Sequence, residues 1–274
     1  AALSIPAGEY VIGIDVDDNA EVDLQCPLAV LQAGTIGNVF AVADAAGVSL
    51  VAHLGDGSTA TFACEASVEP DPADVRLLHA SPFAPGVDVF ANGNAIASGL
   101  SYAEGSDYLS VPAGAYDIAL SPAGAGIDSA VASFNVSVAS GLAYSAIAYG
   151  ELSDLKLLAL ADNVASPAAG NIRVRAVHAA VDVGPVDLYV GSVGGAAPTL
   201  LEQGLDFGTA GTEAEVPAGA YTVEFDVNSD GALDLQCVLP ELAAGTIANV
   251  VAVANSGAIS LIAHLNGGAT ASVD

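Results

Sequence analysis

The sequence predicts an all-β fold: tandem antiparallel β-sandwiches, the first copy incomplete at its N-terminus. Three observations carry this. Short β-branched or Ala-rich runs, such as "YTVEFDV" from Tyr221, "TIANVVAVAN" from Thr246 and "AISLIAHL" from Ala258, alternate with Gly, Pro, Asn and Asp punctuation, and no long helical period competes with them. The segments "IPAGEYVIGIDV" from Ile5, "VPAGAYDIALSP" from Val111 and "VPAGAYTVEFDV" from Val216 recur at spacings of 106 and 105 residues. Residues 5–54 also align without a gap to residues 216–265 at a constant offset of 211, with 26 of 50 positions identical. Several short strands in each unit of about 100 residues argue for Ig-like sandwiches in series.

Copy one spans residues 1–68, copy two 74–165 and copy three 172–274. In each, Pro-Ala-Gly before a Tyr is a turn that launches a strand, with Gly supplying the backbone freedom. Copies two and three open with "VRLLHASPFAPGVDVF" (75–90) and "VRAVHAAVDVGPVDLYV" (174–190). Copy one has no such opening, because the counterpart of residues 174–211 falls before Ala1. Two explanations stand: the natural chain extends upstream, or a neighbouring subunit supplies these strands. Either way, a sandwich short of strands exposes core and unpaired edges that invite another chain.

The V-R-x-x-H-A-[SA] strand, the following V-D-[VL]-[FY] and the later P-A-G-x-Y resemble the secreted bacterial and archaeal family known as domain of unknown function 4397. The resemblance covers most of residues 75–265. It implies extracytoplasmic β-sandwiches, commonly in tandem, and carries no activity. Copy two keeps the family's Ser-Pro at Ser81 and Pro82, whereas copy three has Ala180 and Val181.

Composition narrows the function classes. The 274 residues hold 32 Asp+Glu against four basic residues, Arg76, Lys156, Arg173 and Arg175, for a formal net charge of −28. Nucleic acid is thereby disfavoured as a partner, since phosphate binding needs basic residues to displace counterions, and so is an anionic membrane surface. An acidic surface suits solubility, cation binding and a saline exterior. No apolar run is a membrane span, because Asn38 and Asp44 interrupt residues 35–54. The chain starts at Ala1 without Met, so an export signal is expected to have been removed or omitted.

Cys26 and Cys237 are repeat equivalents, both in "DLQC", and the counterpart of Cys64 would fall one residue beyond Asp274. A Cys26–Cys64 disulfide is therefore expected within copy one, in an oxidising compartment. Cys237 is then either a thiol for bonding between chains or a buried apolar residue. No Cys/His cluster supports zinc.

"DVNSDGALD" (226–234) has the spacing of a calcium loop. Side-chain oxygens of Asp226, Asn228, Asp230 and Asp234 and the carbonyl of Ala232 can converge on a hard cation, and Gly231 permits the sharp turn. Its sibling offers Asp15, Asp17, Asn19, the Glu21 carbonyl and Asp23, but carries Ala20 in place of the Gly. Cys26 and Cys237 stand where an EF-hand places its bidentate Glu, which excludes an EF-hand. An ordinary hairpin turn is the competing reading, since Asn, Asp and Gly dominate turns.

His79, Ser81 and Asp88 lie close in sequence, but no nucleophile elbow or oxyanion-hole motif accompanies them, and copy three keeps His178 and Asp187 without the Ser. Each His is expected to brace its turn, and no enzymatic activity is expected. Asn135 in Asn135-Val136-Ser137 has the triplet of a glycosylation acceptor. The expectation is a secreted structural protein of the cell surface, self-associating through strand edges into a filament or surface layer. The alternative is a calcium-dependent adhesion module that binds a glycan or surface protein.

Overall fold

The computed structural model describes residues 4–17, 22–44, 47–67, 71–195, 197–228, 230–255 and 258–273. Two compact units emerge, Ala1–Glu69 and Pro70–Asp274. Among the described residues no helix is long and apolar enough to cross a membrane.

The first unit holds β1 (Gly8–Ile14), β2 (Leu24–Leu31), β3 (Gly37–Asp44), β4 (Gly47–Leu54), β5 (Thr59–Ala63) and β6 (Glu65–Ala66). They form two three-stranded antiparallel sheets, β1-β2-β6 and β3-β4-β5. A disulfide joins Cys26 in β2 to Cys64 just after β5, with Cα atoms 4.2 Å apart, so it ties one sheet to the other. Cys26, Leu50 and Ala52 are the buried hydrophobic residues among those described in this unit.

The second unit contains two complete sandwiches. In copy two, β7 (Ala73–His79), β10 (Leu109–Val111), β13 (Ala143–Glu151) and β14 (Asp154–Asp162) form a sheet in the order β10-β7-β13-β14. Facing it, β8 (Val87–Ala91), β9 (Asn94–Leu100), β11 (Gly114–Pro122) and β12 (Ala132–Val138) run β12-β11-β8-β9. Copy three repeats the plan. One sheet has β15 (Asn171–Ala179), β18 (Thr209–Ala210), β22 (Ile247–Asn255), β23 (Ala258–Leu265) and β24 (Thr270–Val273) in the order β18-β15-β22-β23-β24, with β19 (Ala214–Pro217) also on β15. The other has β16 (Val186–Ser192), β17 (Thr199–Leu205), β20 (Tyr221–Asp226) and β21 (Leu235–Val238) in the order β17-β16-β20-β21. Ladders are antiparallel except that β7 pairs parallel with β13, and β15 with β22. The chain fills the facing sheet between these partners, which gives the crossover that a parallel pair needs.

Local chemistry explains the recurrent turns. Tyr10, Tyr116 and Tyr221 each donate a hydroxyl hydrogen bond to the carbonyl four residues back, of Pro6, Pro112 and Pro217, at 2.7, 2.7 and 2.5 Å. The P-A-G-x-Y motif is thus a turn clamped by its own tyrosine. Between β8 and β9, Asn92 and Gly93 both have positive φ (48° and 84°), as a two-residue type I′ hairpin requires.

Strands at the centre of the second unit are apolar on both faces because both faces are covered. Leu77 and Ala148 point into the core of copy two with Val87, Val89, Leu100 and Leu120, and Ala176, Val250, Ala252 and Leu261 point into that of copy three with Val186, Leu188, Val223 and Phe225. Their sequence neighbours Leu78, Ile147, Val177, Val251, Val253 and Ile262 form a separate cluster that joins the two copies sheet against sheet. Alternation with period two therefore builds two sandwich cores and the seam between them from the same strands.

Candidate functional site

The repeat's opening strand carries an arginine whose place is alike in both complete copies. Arg76 lies opposite Ser145 in the β7–β13 ladder, and Arg175 opposite Asn249 in the β15–β22 ladder. Arg76 Nε donates to Ser145 Oγ at 2.7 Å, and Arg175 Nε donates to Asn249 Oδ1 at 3.0 Å. The two halves then join. Asn249 Nδ2 donates to Ser145 Oγ at 2.8 Å, and Ser145 Oγ donates to Asp162 Oδ2 at 2.6 Å. Arg175 Nη2 pairs with Asp162 Oδ1, and Arg76 Nε lies 3.4 Å from Asp162 Oδ2.

Tyr108 donates its hydroxyl to the same carboxylate at 2.7 Å while Arg76 lies over its ring, 5.1 Å from the centroid. Burial, more than any charge, pushes the Tyr108 phenol up. His264 Nε2 lies 3.2 Å from the Ser106 carbonyl, and Gly105 is needed there, since a Cβ would stand 2.6 Å from that nitrogen. Burial, reinforced by the Arg76 charge, lowers His264 to about 4. The sequence reading missed this network. Its signal was the pair of arginines in otherwise apolar strands of a chain with four basic residues.

Among the described residues of the first unit, the corresponding places are exposed. By the offset of 211, β3 is the counterpart of β22, β4 of β23 and β1 of β20. β22 is buried from Ile247 to Ala254, whereas β3 is exposed along its length. Phe40 is 55% exposed where Val251 is 0%, Val42 is 45% where Val253 is 0%, and Val39 is 46% where Val250 is 8%. Asn38, the counterpart of Asn249, is exposed and its side chain makes no hydrogen bond among the described residues, and His53, the counterpart of buried His264, is exposed as well. Among the described residues, β3 and β1 are edge strands of their sheets. In copy three those two edges are filled by β15 and β16.

The described residues of the 226–234 loop are tied together by their own side chains. Asp226 is 1% exposed and accepts the amides of Asn228 (3.2 Å), Asp230 (3.3 Å) and Gly231 (2.8 Å). Asn228 accepts from Asp230 at 3.0 Å, Asp230 from Ala232 at 2.8 Å and Asp234 from Val227 at 2.9 Å, while Gly231 takes φ 84°. In copy one, carboxylate oxygens of Asp15, Asp17 and Asp23 lie within 4.8 Å of one another, and Asp23 accepts the Val16 amide at 2.5 Å. Asn19 and Glu21 lie outside the described residues. The donor sets are hard oxygens, which fit calcium in type.

His79 and His178 are buried braces. His79 Nε2 lies 3.0 Å from the Pro85 carbonyl and Nδ1 accepts the Ser81 amide at 3.2 Å; His178 repeats this with Gly184 (3.0 Å) and Ala180 (3.3 Å). Desolvation lowers the pKa of both. Ser81 donates to the Gly150 carbonyl at 2.5 Å, and Asp88 accepts from Gly99 and Gly124 at 2.7 and 2.8 Å. The three side chains are thus engaged with backbone. Cys237 is 4% exposed within the core of copy three, and Asn135 is exposed on β12, with its amide donating to Asp117.

Residues 73–189 match the family model "Domain of unknown function (DUF4397)". No curated protein matches the chain. Among solved structures, one described as "Alpha-glucan binding by a streptococcal virulence factor" shares 13% identity at a TM-score of 0.23, over 68% of this chain and 95% of that one. "The Bacillus anthracis TIE protein" shares 12% identity at a TM-score of 0.21, over 91% of this chain and 49% of that one. At such TM-scores neither likeness carries an argument about fold or ligand.

Proposed function

Taking residues 73–189 as a stretch of the DUF4397 family within a tandem of three related modules, we propose that the chain is a secreted structural protein. It assembles through β-strand edges of the first module into an extracellular filament or surface layer. The observation that carries this reading is the exposure of β3, apolar on both faces and, among the described residues, unpaired on its outer edge, beside the burial of its repeat counterpart β22. Exposed flat apolar edges recruit further strands. The Cys26–Cys64 disulfide supports an oxidising, external compartment, and the backbone engagement of His79, Ser81 and Asp88 supports a non-catalytic role.

Calcium is proposed as a brace of individual loops, at Asp226, Asn228, Asp230, Asp234 and the Ala232 carbonyl, and at Asp15, Asp17 and Asp23. The convergence of three carboxylates in copy one favours, as a second reading, a calcium-dependent adhesion module for a glycan or surface protein. Negative-stain electron microscopy of native, non-reduced material, with and without a chelator, separates the two. Ordered polymers support assembly. Dispersed monomers that bind a surface only with calcium present support adhesion instead.

A further inference from the structure

The two complete sandwiches differ at one end of their cores. In copy three that end is plugged by Ile172, Tyr221 and Leu242, all buried and packed on one another. Copy two carries smaller residues at the counterpart places. Ala73 stands where copy three has Ile172, three residues before the repeat's arginine, and Val138 faces Gly114 as Leu242 faces Gly219. Val136 lies opposite Tyr116, whereas Leu239 donates its amide to the Tyr221 carbonyl at 2.8 Å. Ala146 lies opposite Leu77 as Val250 lies opposite Ala176, and Ala91 ends the V-D-x-x segment that Val190 ends in copy three. Leu77 in place of Ala176 fills back only part of this space. The outcome is a cavity of about 60 Å³ between the sheets of copy two, against about 30 Å³ in copy three.

Both sheets wall the larger cavity with apolar side chains, among them Leu77, Val89, Ile118 and Ala148. The hydroxyl of Tyr116, which also lines it, is committed to the Pro112 carbonyl at 2.7 Å. Towards the unplugged end, the wall residues Val75, Val111, Tyr116 and Val136 are half-buried, whereas Tyr221 and Leu239 are buried in copy three. A cavity lined in this way stays dry, so filling it with apolar atoms is favourable.

We infer that copy two binds the end of a neutral hydrocarbon chain between its sheets, admitted at the end lined by Val75, Val111, Tyr116 and Val136. The chemistry of the site restricts the guest. None of the lining side chains is charged, so nothing there balances an ionic group. A formal net charge of −28 disfavours an anionic head such as a carboxylate outside the mouth. The volume is well below the roughly 150 Å³ that accepts a benzene ring, which leaves room for an unbranched chain end. This site lies within one sandwich and stands apart from assembly through the first module.

The test uses the full chain with isotope-labelled Ala, Ile, Leu and Val methyl groups, titrated with n-butanol, n-hexanol and n-octanol and followed by nuclear magnetic resonance. Saturable shifts are expected at Leu77, Val89 and Ala146, with affinity rising about fourfold for each added methylene until the cavity is full. The methyl groups of Val250 and Ala252 in the smaller cavity should stay in place. Ala146→Val and Ala91→Val, which install the residues of copy three, should each weaken n-octanol binding about tenfold by occupying the space of two methyl groups. Unchanged methyl signals from copy three show that each variant is folded, and if one variant unfolds the other decides. Absence of saturable shifts in copy two overturns the proposal. So do shifts of equal size throughout both copies, or n-octanol binding that neither substitution weakens. Unfolding by both substitutions overturns it too, because the space they need would then not be there.

Discussion

Replacing Asp162 by Asn keeps the shape of a side chain that is 2% exposed but removes the one carboxylate between Arg76 and Arg175. Four groups converge on it: both guanidinium groups, the Tyr108 hydroxyl at 2.7 Å and the Ser145 hydroxyl at 2.6 Å. An amide cannot balance two buried cations, and Glu213, 3.6 Å from Arg175, is more exposed and reaches only one of them. Breaking a buried ion pair by removing one partner costs about 3–5 kcal/mol. In a unit of this size that lowers the melting temperature by about 6–20 °C. Circular dichroism of the full chain, followed with temperature and urea, reads the loss in the second unit. Asp154→Asn is the control: its ion pair with Lys156 is exposed on both sides, and no measurable change is expected. Arg175→Met in the Asp162→Asn background should recover part of the loss. A shift under about 2 °C for Asp162→Asn would refute the view that this network holds copies two and three together.

Acid sensitivity follows from the buried imidazoles. His264 is lowered to about 4, and His79 and His178 are lowered by burial, so the unfolded chain takes up protons first as pH falls. Stability of the second unit should therefore decline from about pH 6.5 towards pH 4, with His264 alone contributing up to about 3 kcal/mol; a urea midpoint flat over that window contradicts this. Reducing Cys26–Cys64 should destabilise the first unit by up to about 4 kcal/mol and leave the second untouched, and two calorimetric transitions of which only one moves with reductant would show it. If the acidic loops bind calcium with a dissociation constant of about 0.1 mM, 10 mM calcium should stabilise by about 2.7 kcal/mol per site. Asp230→Ala should abolish the share of the 226–234 loop, and a melting temperature indifferent to calcium would leave that loop a turn.

Much of the fold was legible because its signals are local. The P-A-G-x-Y clamp, the Asn92-Gly93 hairpin and the strand alternation depend on neighbours within a few residues. The disulfide was legible because repeat arithmetic left Cys26 and Cys64 as natural partners. The seam between copies two and three was not. A run such as Asn249 to Asn255 announces burial on both faces, but nothing in it names what covers the second face. Parallel pairing of β7 with β13 and β15 with β22 was also hidden, since its partners are separated by an entire sheet. Arginine reads as a surface residue, and the burial of Arg76 and Arg175 depends on Asp162, Ser145 and Asn249 arriving from distant strands. Of the site, the acidic spacing was visible, whereas the hydrogen bond from Arg175 to Asn249 was not, because its partners lie 74 residues apart.

The most direct test of assembly through the first module is amide hydrogen exchange of β3 in dispersed and in assembled protein, with β22 of the same molecule as the internal reference. The account predicts fast exchange at Gly37–Asp44 in dispersed protein, rising on assembly to the protection of Ile247–Asn255. Assembled material in which β3 still exchanges fast, with new protection elsewhere, would contradict it.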